Sequence, residues 1–328
     1  MALDFDSARL PNPHLTEDHE AWRTQLRRFI DTEIMPFADD WDEAGHIPDE
    51  LWPKAAQVGL LGMSYPEQYG GIAEGIDSWH IWITNEELAR VGVGGVAASL
   101  MVHGIGLPPV LNWGSEAMKD MVAPAVLSGE KNISLGITEP GAGSDVAQLS
   151  TTAVRDGDHY VVNGSKTYIT GGMRADWIAT AVRTGGDSHG GVSMLLIPSD
   201  AEGFSRTSLD RKQGWWASDT ATLYFDNVRV PVANLIGEEN QGFKVIMTNF
   251  NGERMLMAAG MEALGRVCLE EAVAWARERK TFGKRLADHQ VIRHKISQMK
   301  QRLNATQAYI RVCYETLENG DPNPGDIA

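Results

Sequence analysis

The sequence predicts an α+β multidomain protein. An N-terminal helical domain covers about residues 1–130, a middle antiparallel β-domain or barrel covers 131–237, and a C-terminal helical bundle covers 238–328. Three observations predict this order. Apolar residues recur at helical spacing from about Thr16 to Leu127, split by Pro and Gly. The middle third changes to short apolar runs punctuated by Asp156-Gly157 and Asn163-Gly164, the dipeptides of two-residue hairpin turns. From Glu238 onward the helical period returns in two long segments. A chain of 328 residues, 43% of them hydrophobic, is long enough for two or three buried cores.

The first region reads as roughly five helices. Thr16 is placed to cap the first, with Glu17 and Asp18 in the turn where the helix dipole favours acid. Trp22, Leu26 and Ile30 follow on one face, and Pro36 marks the far end. Ser115 caps a later helix carrying Ala117, Val122 and Val126. In the middle region, Leu149–Val154, His159–Val162, Lys166–Thr170, Trp177–Val182, Val192–Ile197 and Thr222–Val230 read as strands. A long helix then begins near Phe243, Val245 and Ile246 and continues to about Arg279. Thr281-Phe282-Gly283-Lys284 breaks it, and a second long helix runs from about Asp288 to Asn319. Asp321-Pro322-Asn323-Pro324-Gly325 reads as a connector.

Composition excludes several functions. A net charge of −15 argues against general nucleic-acid binding, which needs an excess of Lys and Arg over the phosphates. The only cysteines, Cys268 and Cys313, show no metal or redox spacing, which fits a reducing compartment. The nine histidines include no HExxH arrangement, and His289 and His294 fall off one helical face, so no metal is expected. The opening residues Met1 to Asp6 lack the basic and apolar regions of a secretory signal, giving the expectation of a cytoplasmic protein. No apolar run reads as a membrane span.

Four motifs carry candidate chemistry, and each supports two readings. Ile137-Thr138-Glu139-Pro140-Gly141-Ala142-Gly143-Ser144-Asp145 is glycine-rich, but strands rather than a helix follow it, so it is not a Rossmann fingerprint. Its small residues suit a cradle for pyrophosphate or a flavin edge, and equally an ordinary turn. In Lys166-Thr167-Tyr168-Ile169-Thr170-Gly171-Gly172, alternation sends Tyr168 and Thr170 to one face. That face would stack an aromatic ring, or form a cross-strand aromatic pair. Glu253, Met257, Gly260 and Leu264 lie on one helical stripe. A carboxylate there is either a general base with a raised pKa or a helix-compatible Glu paired with Arg or facing solvent. Arg277, Arg279, Lys280, Lys284 and Arg285 form a basic cluster at a helix break, suited to phosphates or simply to the helix C-terminal dipole. Gly214-Trp215-Trp216-Ala217-Ser218-Asp219-Thr220 adds two bulky rings in a loop.

In this order and spacing, the motifs resemble those of the acyl-CoA dehydrogenases. Those carrying the resemblance are Ile137–Asp145, Lys166–Gly172, Ser218-Asp219-Thr220, Phe225–Glu238, Gly252-Glu253-Arg254, and Arg279–Gly283 followed by His289-Gln290. The resemblance implies an FAD enzyme, usually a homotetramer, that converts an acyl-CoA to a trans-2-enoyl-CoA and passes electrons to an electron-transfer flavoprotein. It implies that Leu135, Ile137, Thr138, Gly143 and Ser144 line the flavin, with Ser144 also facing the acyl-CoA. Tyr168, Ile169 and Thr170 would lie against the isoalloxazine. Arg279, Lys280, Thr281, His289 and Gln290 match positions that reach FAD across a subunit interface. Asn251, Gly252, Glu253 and Arg254 match the segment that contacts acyl-CoA.

Glu253 matches the base of members that carry it on this helix. Other members carry theirs in a loop near the C-terminus, which has no counterpart in this sequence. The resemblance therefore leads to the expectation of a truncated bundle, with weaker flavin retention and activity than a longer form. An acyl-CoA oxidase or flavin monooxygenase on the same scaffold, and a catalytically silent acyl-CoA- or flavin-binding protein, are the competing readings.

Overall fold

The computed structural model describes residues 3–320, and the side chain of Asn251 lies outside the described set. The connector read at Asp321–Gly325 also falls outside it. The elements in order are α1 (Glu17–Glu33), α2 (Ala38–Ala44), α3 (Leu51–Gln57), α4 (Ser78–Ala89), α5 (Gly94–Leu100), α6 (His103–Trp113) and α7 (Glu116–Leu127). Then come β1 (Ile133–Gly136), β2 (Thr152–Asp156), β3 (His159–Thr170), β4 (Trp177–Arg183), β5 (Val192–Pro198), β6 (Phe204–Ser208), β7 (Thr220–Pro231) and β8 (Leu235–Ile236). The chain continues with α8 (Gly242–Glu278), β9 (Lys280–Thr281), β10 (Lys284–Arg285) and α9 (Gln290–Glu318).

The residues form two compact units. One contains the chain up to Met35, Gly75–Gly92 and the chain from Asn251 onward; the other contains Pro36–Glu74 and Val93–Phe250. The sequence order of helices, strands and helices is as expected, but α1 and α4 associate with α8 and α9 rather than with α2, α3 and α5–α7.

Packing and charge explain that helical unit. Trp79 and Trp82 of α4 join Met255 and Ala259 of α8 and Ile310 and Tyr314 of α9 in one apolar cluster. Beside it, Glu86 is 1% exposed and meets Arg23 at 2.9 Å and the fully buried Arg266 at 2.6 Å. Glu262, one turn before Arg266 on α8, completes the row at 3.2 Å. Removing any one member would leave buried charge uncompensated, so the helices are locked in one register. At the start of α4, the Asp77 carboxylate accepts the N–H groups of Trp79 and His80, an N-cap that satisfies donors left open by the helix. The same oxygen lies 2.9 Å from His19 Nε2 and 2.8 Å from His80 Nδ1, tying α1 to α4. This His–Asp–His cluster was invisible in the sequence, where His19 and Asp77 are far apart.

The other unit is built on a mixed sheet in the order β6-β7-β3-β2-β4-β5-β8, with β1 paired to β4. Most of its pairs are antiparallel, as expected, but β1 and β2 both run parallel to β4. Asp156-Gly157 does form the β2–β3 hairpin, with Gly157 at φ +64°. Asn163-Gly164 does not turn the chain. Both residues sit inside the 12-residue β3, and the register shift opposite them is absorbed by Asn227 of β7, at φ +54°. A second shift lies between Lys166 and Ile169, with Tyr168 at φ +59° as the extra residue. The two bulges compensate, one on each strand.

The run from Gly94 to Trp113 corrects another expectation, because it does reach the length and apolarity of a membrane span. It breaks into α5 and α6, and Val96, Leu100, Leu107 and Val110 are fully buried. These are core helices of the unit, with Leu107 and Val110 packed in the same cluster as Ile133, Ala179 and Ile236 of the sheet.

Candidate functional site

The glycine-rich loop and the end of β3 come together in the sheet unit. Thr167 N–H donates to Thr138 C=O at 2.8 Å, and Ser134 Oγ donates to Thr170 C=O at 2.8 Å. The loop closes on itself through paired bonds between Glu139 and Ala142. Its base is buried: Ile137 and Ala142 enter the unit's apolar core. Its tip is open, with Gly141, Gly143 and Ser144 exposed. A methyl group placed on Gly141 or Gly143 would meet nothing within 4 Å, so the space beside the tip is free for a ligand.

Tyr168 completes this surface. It is 70% exposed, and the bulge holds it in the left-handed region, which costs a non-glycine residue about 1–2 kcal/mol. An exposed ring in strained backbone is a feature of functional sites more than of packing. Thr170 is half-buried, whereas Ile169 is 2% exposed and packs into the sheet core. Any ligand contact by Ile169 is therefore through its backbone. Leu135 is half-buried beside the same core. An open aromatic face beside a loop of small residues with accessible backbone suits a group with a flat ring and phosphates.

A wide cleft of this unit lies elsewhere. It measures about 890 Å³ and carries Asp49, Glu50, Glu130, Asp176, Asp210 and Asp219. Six carboxylates against the one Arg174 repel phosphate, so the glycine loop, and not this cleft, is the candidate anion-and-ring site. The two tryptophans are both partly exposed, at 44% and 43%. Trp215 lies against the start of α5, so close that a methyl group on Gly94 would fall 2.5 Å from its Nε1.

Sequence reasoning missed the pair that holds the loop. Lys166 is fully buried, and its Nζ donates to Glu139 Oε1 at 2.7 Å and to Ile137 C=O at 3.1 Å. Glu139 also accepts the Ser150 N–H and hydroxyl at 2.6 and 2.7 Å and the Thr151 N–H at 2.9 Å. Burial raises the Glu139 carboxyl, but the Lys166 charge and these hydrogen bonds outweigh it and hold the group at about 2. Burial draws the Lys166 ammonium down to about 8, so both groups are ionised at neutral pH. Both residues lie inside the quoted motifs; the signal was a Lys in a strand otherwise made for a core.

In the helical unit, Gly252, Glu253 and Arg254 lie on α8. Glu253 is half-buried, and burial raises its carboxyl to about 7 against the opposing charge of Arg254. The stripe it was assigned to is not the core-facing one, since Met257 is 58% exposed. The buried stripe runs through Met255, Ala259, Glu262, Arg266 and Leu269. Asn251 lies on the same helix. The basic cluster after α8 lies on a small hairpin of β9 and β10. Its tip is Phe282-Gly283, both at positive φ, and Phe282 is 96% exposed. Arg279, Lys280 and Gln290 are exposed, and Thr281 Oγ1 lies 3.2 Å from His289 Nε2. The hairpin and its contact with His289 therefore bring Arg279, Lys280, Thr281, His289 and Gln290 into one cluster.

Comparison with known proteins decides the family. Residues 16–130, 134–228 and 240–328 match the N-terminal, middle and C-terminal domains of acyl-CoA dehydrogenase in turn. The chain belongs to the acyl-CoA dehydrogenase family. An acyl-CoA dehydrogenase of Alternaria alternata is 36% identical over 333 residues, covering 98% of this chain and 77% of that one. The crystal structure of the acyl-CoA dehydrogenase from Geobacillus kaustophilus superimposes with a TM-score of 0.92 at 33% identity, covering 97% of this chain and 83% of that one. A glutaryl-CoA dehydrogenase from Mycobacterium smegmatis, solved in complex with FADH2, gives a TM-score of 0.87 at 28% identity, covering 95% and 79%. As in other acyl-CoA dehydrogenases, this chain's fold combines an N-terminal helical, a middle β and a C-terminal helical domain.

Proposed function

We propose that this acyl-CoA dehydrogenase is an FAD enzyme that removes one hydrogen from each of the α and β carbons of an acyl-CoA, leaving a trans-2-enoyl-CoA. The observation that carries the reading is the open surface of Tyr168 and the glycine-loop tip, in a chain of this family. Leu135, Ile137, Thr138, Gly143, Ser144, Tyr168, Ile169 and Thr170 would hold the flavin, with the loop N–H groups suited to its polar atoms. FAD, when bound, supplies the acceptor for the β-hydride.

The protein's own part is to take the α-proton and to align the thioester. A thioester α-proton is weakly acidic, so the base works best with a pKa near the operating pH. Glu253, raised to about 7, meets that condition: about half of it is ionised at neutral pH. Gly252 and Arg254, beside it on α8, together with Asn251 and Ser144, are the proposed acyl-CoA contacts. Arg279, Lys280, Thr281, His289 and Gln290 are proposed to serve the FAD of a second copy in a homotetramer or dimer. The solvent-facing Phe282 at the hairpin tip supports that reading, since a large apolar side chain so exposed favours an interface. The proposed electron acceptor is an electron-transfer flavoprotein.

The test is turnover of straight and branched acyl-CoAs with either an electron-transfer flavoprotein or oxygen as acceptor, with products identified by mass. Loss of two hydrogens supported by the flavoprotein is the expected result. Turnover supported by oxygen alone, with peroxide formed, would make the protein an oxidase instead.

A further inference from the structure

The loop that is proposed to meet the flavin is pinned at its base and open at its tip. Its pinning runs through one buried ion pair. Lys166 Nζ holds the Ile137 carbonyl at 3.1 Å and the Glu139 carboxylate at 2.7 Å, both within the loop's first three residues. Glu139 in turn gathers the N–H groups of Ser150 and Thr151, where the chain enters β2. Lys166 lies on β3 two residues before Tyr168, and the intervening Thr167 makes the backbone bond to Thr138. The pair therefore joins three things at once: the start of the loop, the chain leaving it, and the strand that bears the exposed ring.

We infer that the Glu139–Lys166 pair is a positioning device for the flavin site, setting the distance between the glycine-loop tip and Tyr168 without touching the ligand. This rests on the FAD reading above. A pillar serving only the fold would need no such charge, because apolar residues of similar volume fill a core at least as well as a buried ion pair. What an apolar pair cannot do is fix direction. The ammonium donates only to acceptors such as oxygen, here the Ile137 carbonyl and the Glu139 carboxylate, so the start of the loop has one position against β3. The tip hangs from that base: Ala142 is buried and bonded to the Glu139 backbone, while a methyl group on Gly141 or Gly143 would meet nothing within 4 Å.

The test separates fold from site. Lys166→Met alone strands a buried carboxylate and is expected to lower stability, so the decisive variant is the double Glu139→Gln/Lys166→Met, which removes both charges and keeps an acceptor oxygen for the Ser150 and Thr151 N–H groups. Each protein is stripped of flavin, its denaturation midpoint is measured, and FAD is titrated back while its visible absorption and circular dichroism are recorded. The expected result is a double variant with a near-normal apoprotein midpoint, an FAD dissociation constant raised about tenfold or more, and altered flavin dichroism, the scale typical of lost outer-shell support. Wild-type affinity and dichroism in the double variant would overturn the inference and leave the FAD reading intact. Failure of the wild-type protein itself to bind FAD would overturn both.

Discussion

Replacing Glu253 by Gln should make the protein both more stable and nearly inactive. Burial carries this carboxyl from 4.5 to about 7 in the folded state. The folded protein thus prefers the protonated form, and ionising Glu253 works against folding. At about 1.4 kcal/mol per pKa unit, the difference corresponds to about 3 kcal/mol if fully transmitted. Solvent around a half-buried side chain screens it, and about 1–2 kcal/mol is the reasonable expectation. The penalty is absent below pH 4.5, grows between 4.5 and about 7, and is complete above 7. Glu253→Gln should therefore exceed the wild type in denaturant stability at pH 8 and match it near pH 4.5. Its turnover should fall by about 10²–10⁴, the usual contribution of a general base. In the wild type, kcat/KM should rise with pH to a plateau above about 7. A Gln variant that keeps a tenth or more of wild-type activity would refute the assignment of Glu253 as base. An equal stability gain at pH 4.5 and pH 8 would refute the electrostatic argument.

Three further outcomes follow from single side chains. Arg266→Met leaves Glu86 and Glu262 without their shared buried partner and should cost about 3–5 kcal/mol in urea unfolding; a cost below 1 kcal/mol would show that the network relaxes around the loss. Tyr168→Gly should relieve left-handed strain, stabilising the apoprotein by about 1 kcal/mol while weakening FAD binding; unchanged FAD affinity would remove Tyr168 from the site. Phe282→Ala should shift the protein toward smaller species in analytical ultracentrifugation with little change in unfolding midpoint. An unchanged sedimentation profile would leave the hairpin without the proposed interface role.

The sequence made the long elements legible because they carry enough residues to display a period. Thr16 and Ser115 cap α1 and α7 as read, and α8 and α9 span nearly the expected limits. Among the described residues, seven helices stand where roughly five were read, and α2, α3 and α5 have seven residues each, two turns that show little periodicity. Asn163-Gly164 misled because local turn preference yielded to pairing with β7, where Asn227 took the irregularity instead. Lys166 escaped notice because its partner is 27 residues away in sequence, and only the bulge at Tyr168 lets Lys166 go inward while the ring stays outside. On α8 the spacing was right but the choice of buried face was not. Glu262 and Arg266 neutralise one another there, so two charged residues occupy the stripe that hydrophobicity alone would assign to apolar side chains.

FAD-dependent dehydrogenation with Glu253 as the base is open to one decisive measurement, an anaerobic visible spectrum during addition of acyl-CoAs. The oxidised-flavin band should bleach with at least one chain class in the wild type and persist in Glu253→Gln. A flavin band that stays intact in the wild type with every thioester, or bleaches equally in the variant, would contradict it.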